Sequence, residues 1–342
     1  MELGRRSIHI SSGLWSVGQH SCSRKLDRRR NDGGIAHECE TPMTVERFVV
    51  ACGVNDSTHH VVDWVRARAH RSTASATLIQ VIDPAEGKIS GRLEKSEKVL
   101  RSVERGLADR VPHVAVSTRV IVGEVFDTLL QLTDPGSILV VGMVNFGPLH
   151  RPTSWSLASR LASQASGPVA IIPAGAVIDG RGVLAGIDGG HDCLRVAHFA
   201  AEQAHITDEP LHLLHSWVPP SPLLNAYSLD NELVAECMRP HIRMLADVVS
   251  RIRTEFPHLD VTSSVVRGDP ALSLLDLQRD TGLVVVGRGA KSTLSRFLLG
   301  SVSRDLLLNL TIPALVLPLG EFAAHVHSND LGHAPHVDEG RP

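Results

Sequence analysis

The sequence predicts an α/β protein of two tandem doubly wound domains, each a five-stranded parallel sheet with helices on both faces. Three observations carry this. The chain holds an internal duplication. Short apolar runs alternate with segments of helical period in each copy. The apolar content is Val, Leu, Ile and Ala rather than aromatic, since aromatic residues make up only 4% of the chain, which is the mixture of buried parallel strands under Ala- and Leu-rich helices.

The duplication sets the frame. Val120–Gly142 (VIVGEVFDTLLQLTDPGSILVVG) aligns without a gap with Val265–Gly287 (VVRGDPALSLLDLQRDTGLVVVG), an offset of 145 positions that also carries Pro168 onto Pro313. Near the start of each copy the offset is 135, placing Arg47–Ala69 opposite Gly182–Ala204. A unit this long is a domain rather than a solenoid repeat. The expected organisation is an arm at 1–42, a first domain at 43–176, a second at 180–320 and a His-rich tail at 321–342.

In the second copy, Val183–Ile187 is a short apolar run ending at Asp188 and two glycines. His191–Ala204 follows with helical spacing, then a strand at Leu211–Leu214. Glu232–Phe256 is a long helical pattern, expected to kink or divide at Pro240, because proline removes a donor and crowds the preceding turn. Val261–Val266 is the third strand. Asp269 is placed to cap the next helix, with Pro270 at its first position, ahead of Ala271–Gln278. Leu283–Val286 has no polar residue, as a central strand covered on both faces requires. Ser301–Asn309 is a helix and Ala314–Leu317 the fifth strand. Alternating strands and helices imply right-handed crossovers and a Rossmann-like parallel sheet.

Composition excludes several functions. With 342 residues, two domains are expected. A net charge of -3 argues against a dedicated nucleic-acid binder. No apolar run approaches the roughly 18 residues of a membrane span. Five cysteines without short spacing do not form a disulfide or zinc framework, and free thiols in a reducing cytoplasm are expected. The arm holds the basic run Arg24, Lys25, Arg28, Arg29, Arg30 and lacks the apolar stretch of a secretory signal; translation from Met43 is the alternative to a flexible arm. The tail carries His325, His327, His333 and His336, too loosely spaced to define a metal site.

Ligands of open parallel sheets bind at the carboxyl ends of strands. Asp188, Gly268 and Gly287 fall on such ends, and Gly287 opens the loop GRGAKSTLSRFLLGSVS. That loop leads to a helix whose first N–H groups suit phosphate, with Arg288 and Lys291 as added positive charge. It is not a P-loop, which needs Lys directly after the final Gly. By these residues alone, a phosphate site and a plain strand-to-helix loop are equally supported. No catalytic set is evident: His59, His60, His191 and His215 have no paired nucleophile. His215 is expected to be a satisfied structural histidine and Cys193 an inert thiol.

Residues 183–318, and less well 47–173, resemble the universal stress protein family. The carrying segments are VLAGIDGG, LLHSW, VVRGDPA, VVVGRGAKSTLSRFLLGSVSRDLL and TIPALVLP. The family's ATP pattern of Gly, two residues, Gly, nine residues, Gly and Ser/Thr becomes Gly287, Ala290, Gly300, Ser301 here. The resemblance implies an ATP site, with Mg as companion ion. Asp188 would contact the adenine side, and Ser216 would line the base pocket by its backbone. Gly287 would lie near the ribose. Ala290, Gly300, Ser301, Val302 and Ser303 would surround the phosphates, and Gly268 and Val286 complete the set. If position 290 takes positive φ, alanine costs about 1 kcal/mol there, about fivefold in affinity.

The first copy departs from the pattern. Gly53 stands opposite Asp188, Asn145 opposite Ala290 and Trp155 opposite Gly300, although Ser156 survives opposite Ser301. It is therefore expected not to bind ATP in the family's manner, and to be a degenerate partner domain. The resemblance also implies that the fifth strands, Val169–Ile172 and Ala314–Leu317, join the two copies, and a homodimer is a further option. The expected protein is a cytoplasmic ATP-binding sensor or regulator of an unidentified protein partner. The alternatives are a slow ATPase on the same fold and a nucleotide-free interaction module.

Overall fold

The computed structural model describes residues 46–53, 57–143, 156–176, 178, 180–218, 231–289 and 300–319. The arm at 1–42, the tail at 321–342, Trp155, Asn145, Ala290 and Lys291 lie outside them. From residue 46 to residue 319 the described chain is one compact unit. Its centre is a single sheet of ten strands.

The first copy contributes β1 (Glu46–Ala51), β2 (Ala74–Ile82), β3 (Ala115–Val122), β4 (Ile138–Met143) and β5 (Val169–Pro173). Its helices are α1 (Ser57–Ala69), α2 (Ile89–Ala108), α3 (Val125–Gln131) and α4 (Leu157–Gln164). The second copy contributes β6 (Val183–Gly186), β7 (Leu211–Trp217), β8 (Val261–Arg267), β9 (Leu283–Gly287) and β10 (Ala314–Leu317). Its described helices are α5 (Cys193–Thr207), α6 (Asn231–Glu255), α7 (Pro270–Leu277) and α8 (Ser301–Asn309). The strand order is β3-β2-β1-β4-β5-β10-β9-β6-β7-β8. Within each copy all pairs are parallel, and strand order reverses between β1 and β4 and between β6 and β9.

Two apolar layers cover the sheet. One packs β-strand residues such as Val50, Leu78, Ala185 and Leu213 under α1, α2, α5 and α6 through Val65, Leu100, Ala200 and Ile252. The other packs Val141, Ile171, Val284 and Val316 under α3, α4, α7 and α8 through Phe126, Leu161, Leu274 and Leu306. The central strands are buried from both sides, so β5 and β10 read as unbroken apolar runs. The alanines at 197, 200, 201 and 204 bring α5 close to the sheet.

Local signals act as the residues dictate. The Asp269 carboxylate accepts from the Leu272 N–H at 3.0 Å, and Pro270 opens α7. In the first copy Glu124 does the same for α3, accepting from Asp127 N–H at 2.7 Å. Pro240 does not divide α6, which runs unbroken over 25 residues. The apolar face made by Leu245, Val248, Val249 and Ile252 packs on the sheet beyond it; this burial outweighs the lost backbone bond of one turn.

The copies meet about a local pseudo-twofold. β5 and β10 are antiparallel, with Ala170 opposite Leu315, two positions that the 145 offset makes equivalent. Nearby, Arg68 donates to Gln203 at 2.9 Å, and the 135 offset makes these equivalent too. An interface where equivalent residues touch has the self-complementary form of a twofold dimer, here within one chain. The axis is marked by a buried cation: Arg68 pairs with Glu46 at 2.9 Å and lies over the Trp64 ring. Arg71 and Glu209 form an ion pair across the same seam.

Candidate functional site

The reversal between β6 and β9 opens a crevice at their carboxyl ends, where the second copy gathers its candidate residues. Ile187 ends the β6 ladder, its N–H donating to Leu214 C=O at 2.8 Å. Asp188 follows, exposed, and its Oδ1 accepts from Gly190 N–H at 2.8 Å. That turn depends on Gly189, whose φ of 75° is in the left-handed region. A Cβ there would also press Met244 Cε at 3.2 Å.

Ser216 stands at the edge of the crevice. Parallel register alternates the main-chain groups of a strand between its two neighbours. Trp217 C=O accepts from Gly268 N–H on the β8 side, and Leu214 C=O bonds toward β6. Ser216 N–H and C=O therefore face the β6 side, beyond the point where β6 has ended. They offer one donor and one acceptor to a ligand edge. The Ser216 hydroxyl is used elsewhere, donating to Gly268 C=O at 2.7 Å.

Across the crevice, β9 ends at Gly287. Val286 is buried in the strand. The Gly287 carbonyl accepts from the buried Ser303 hydroxyl at 2.9 Å, so that hydroxyl fastens α8 to the strand and only the Ser303 N–H remains to offer. A Cβ on Gly287 would meet Leu319 Cδ1 at 2.5 Å, so the glycine there makes room for the protein's own side chain. Gly289 turns the chain with φ 72°. Gly300 N–H donates to Arg288 C=O at 2.9 Å and closes the neck of the loop.

Gly300 is the N-cap of α8 and supplies no side-chain cap. The first helical bond runs from Arg304 N–H to Gly300 C=O, so helix geometry leaves the N–H groups of Ser301, Val302 and Ser303 without intrahelical partners. Among the described residues nothing demands glycine here. Its φ is −57°, and a Cβ would touch Arg288 O at 3.4 Å and Gly289 Cα at 3.6 Å, ordinary contacts. Among the described residues, the missing side chain leaves room beside amides without intrahelical partners at the positive end of a helix.

The first copy differs at the same place. Ser156, opposite Ser301, caps α4, its Oγ accepting from Ser159 N–H at 3.2 Å, so this helix starts one position later than α8 and carries a side-chain cap that α8 lacks. Gly53 supplies no carboxylate opposite Asp188, and its carbonyl accepts from Thr58. Trp155 itself lies outside the described residues.

Three features of the site go beyond the sequence reading. Arg288 does not add charge to the crevice: its guanidinium donates to Ser163 and Ala165 carbonyls at the end of α4, 3.1 Å each. Burial also pushes its pKa down. The signal was absent because the acceptors are main-chain atoms of the other copy. Second, His215 is buried, and its Nδ1 donates to Ile187 C=O at 2.7 Å. A carbonyl only accepts, so this nitrogen carries the hydrogen and, in the neutral pair, Nε2 accepts from His241 Nδ1 at 2.8 Å. Third, His241 in turn lies parallel to Trp217 with centroids 5.1 Å apart. Burial, and then the neighbouring His215, push the His241 pKa down. The Trp217 indole N–H is buried with no partner among the described residues. His215 was expected as a satisfied histidine, and its two bonds agree; His241 carries no local sequence signal. The Cys193 thiol is pushed up by burial and then by Asp188, and Cys52 by burial to about 12. Neither thiol is activated.

Residues 181–318 match the family model described as the universal stress protein family. The chain is 26% identical over 295 residues to a universal stress protein of Mycolicibacterium smegmatis, covering 80% of this chain and 98% of that one. It is 25% identical over 300 residues to one of Mycobacterium tuberculosis, covering 78% and 94%. The fold matches the crystal structure of a universal stress protein from Archaeoglobus fulgidus with a TM-score of 0.58 at 16% identity, over 80% of this chain and 97% of that one.

Proposed function

The chain belongs to the universal stress protein family, and from that premise we propose that its second copy binds one ATP while the first is a retained partner without a nucleotide. Residues 43–176 and 180–320 are the two domains of this reading. The observation that carries it is the N-terminus of α8: Gly300 supplies no side-chain cap and, among the described residues, its side-chain space is unused, whereas α4 of the first copy starts one position later with a Ser156 cap.

Each residue then has a physical role. Ser216 N–H and C=O meet the acceptor and donor of the adenine edge. Asp188, held by its turn to Gly190, accepts from a ribose or base donor. The N–H groups of Ser301, Val302 and Ser303 point along a helix dipole toward the phosphates, and Gly300 lets them approach. Gly287 holds the ribose side, with Gly268 and Val286 fixing strand ends around it. Ala290 is the remaining phosphate-side residue of the set. Among the described residues no three acidic, His or Cys side chains gather as a metal site, so a magnesium ion would ride on the phosphate oxygens. Bound nucleotide presents a changed surface to a partner protein, which is the regulatory output.

Calorimetric titration of the purified chain with ATP tests this. The expected result is saturation at one ATP per chain, abolished in Asp188→Ala/Gly300→Trp. No saturable heat, or an unaffected double variant, overturns the reading.

A further inference from the structure

Arg288 sits where the two copies and the crevice meet. Its N–H donates to Leu317 C=O on β10 at 2.8 Å, and its carbonyl takes the Gly300 N–H at 2.9 Å. Main chain and side chain thus do different work. The backbone closes the neck of the loop that opens at Gly287, beside the spare room at Gly300. The side chain crosses the seam, where both hydrogens of one terminal nitrogen reach Ser163 and Ala165 carbonyls of α4.

Those carbonyls belong to the last turn and C-cap of a helix. They lack intrahelical partners and carry the negative end of the helix dipole. This explains how a half-buried guanidinium is held with no carboxylate bonded to it among the described residues. The arrangement is asymmetric. The position equivalent to Arg288 in the first copy is Met143, a half-buried side chain packed against the second apolar layer. The strands at the seam obey the pseudo-twofold and this cation breaks it, in the direction that ties the second copy's crevice to the first copy's helix.

We propose that Arg288 is a positioning residue through which the first copy holds the second copy's nucleotide crevice in shape, so that nucleotide taken up by the second copy is felt at α4 of the first. The inference rests on the ATP reading above. It also accounts for the degenerate copy, which supplies two carbonyl oxygens that keep the neck at Arg288 and Gly300 set before nucleotide arrives. α4 is about 12 Å long at 1.5 Å per residue. Its other end is the Ser156 cap, so an event at Arg288 reaches the corresponding end of the first copy through one rigid element. Coupling of this kind is reciprocal, so whatever α4 gains from nucleotide, the nucleotide gains from α4.

The test is hydrogen exchange of the full chain with and without ATP, read at the amides of Leu161–Gln164, together with ATP affinity. In the unaltered chain ATP is expected to slow exchange in this last turn. Arg288→Met installs the first copy's own residue. It is expected to lose about tenfold in ATP affinity, about 1.4 kcal/mol, and to lose the α4 response. Arg288→Lys keeps the charge but replaces the planar fork with a single ammonium, and is expected to recover part of both. A purely structural role at the seam would lower the melting temperature of Arg288→Met while leaving the α4 response to ATP intact. An unaltered chain that binds ATP with α4 exchange unchanged overturns this inference alone, as does an Arg288→Met chain that keeps affinity and response. If Arg288→Met does not fold, Arg288→Lys decides, and unaltered affinity and response there overturn the inference. A chain that binds no ATP at all overturns the functional reading and this inference with it.

Discussion

Replacing Gly300 by serine separates stability from binding at the point where the two copies differ. The backbone at Gly300, φ −57° and ψ 155°, is open to any residue, and a Cβ would lie 3.4 Å from Arg288 O and 3.6 Å from Gly289 Cα. Among the described residues no clash opposes the change. Serine at an N-cap accepts from the amide of the third helical residue, here Ser303, and is only a few tenths of a kcal/mol better than glycine. For a unit of this size that moves the melting temperature by about 1 °C. The same substitution withdraws one amide and fills the space beside two others. A hydrogen bond to a charged group is worth about 1.5–3 kcal/mol, so ATP affinity should fall between about 10-fold and 150-fold. Calorimetric titration and thermal melts on the same samples measure both quantities. Gly300→Ser that melts like the parent and binds ATP equally well refutes the reasoning. So does a loss of affinity that only accompanies a loss of fold.

Acid should weaken the protein through its depressed histidines. Burial lowers the pKa of His212, and burial and then His215 lower that of His241, so each takes a proton more readily once unfolded. Their contribution is full above the unfolded value near 6.5 and is lost as pH falls below it. Melts should hold level from pH 8 to about 6.5 and fall from there to pH 5 in the parent. His212→Thr, which copies Thr77 of the first copy, should flatten the slope; an unchanged slope contradicts the assignment. At the seam, Arg68→Leu leaves Glu46 buried with Ser72 as its remaining partner and should cost about 3 kcal/mol. The double variant Arg68→Leu/Glu46→Leu should regain most of it in urea unfolding, and equal losses in single and double variants would show that the charges are not coupled.

The architecture was legible because its signals are local or repeat in the chain. The duplication, the unbroken apolar strands and the Asp269–Pro270 start each act within a few residues, and β10 at Ala314–Leu317 and α8 at Ser301–Asn309 lie where the sequence puts them. The antiparallel pairing of β5 with β10 followed from the resemblance. Pro240 does not divide the helix because a proline rule is local, whereas the burial that holds α6 together is tertiary. Arg288 misled for the same reason: a cation beside a glycine loop reads as a phosphate ligand until two carbonyls from the other copy claim it. The pairing of His215 with His241 joins positions on a strand and a distant helix, and no spacing rule connects them.

A crystal structure of the full chain grown with ATP tests the central claim most directly. The account predicts one nucleotide per chain, with its base edge on Ser216 main chain, its sugar near Gly287 and its phosphates at the start of α8. Nucleotide in the crevice between β1 and β4, or an empty crevice between β6 and β9 at saturating ATP, would contradict it.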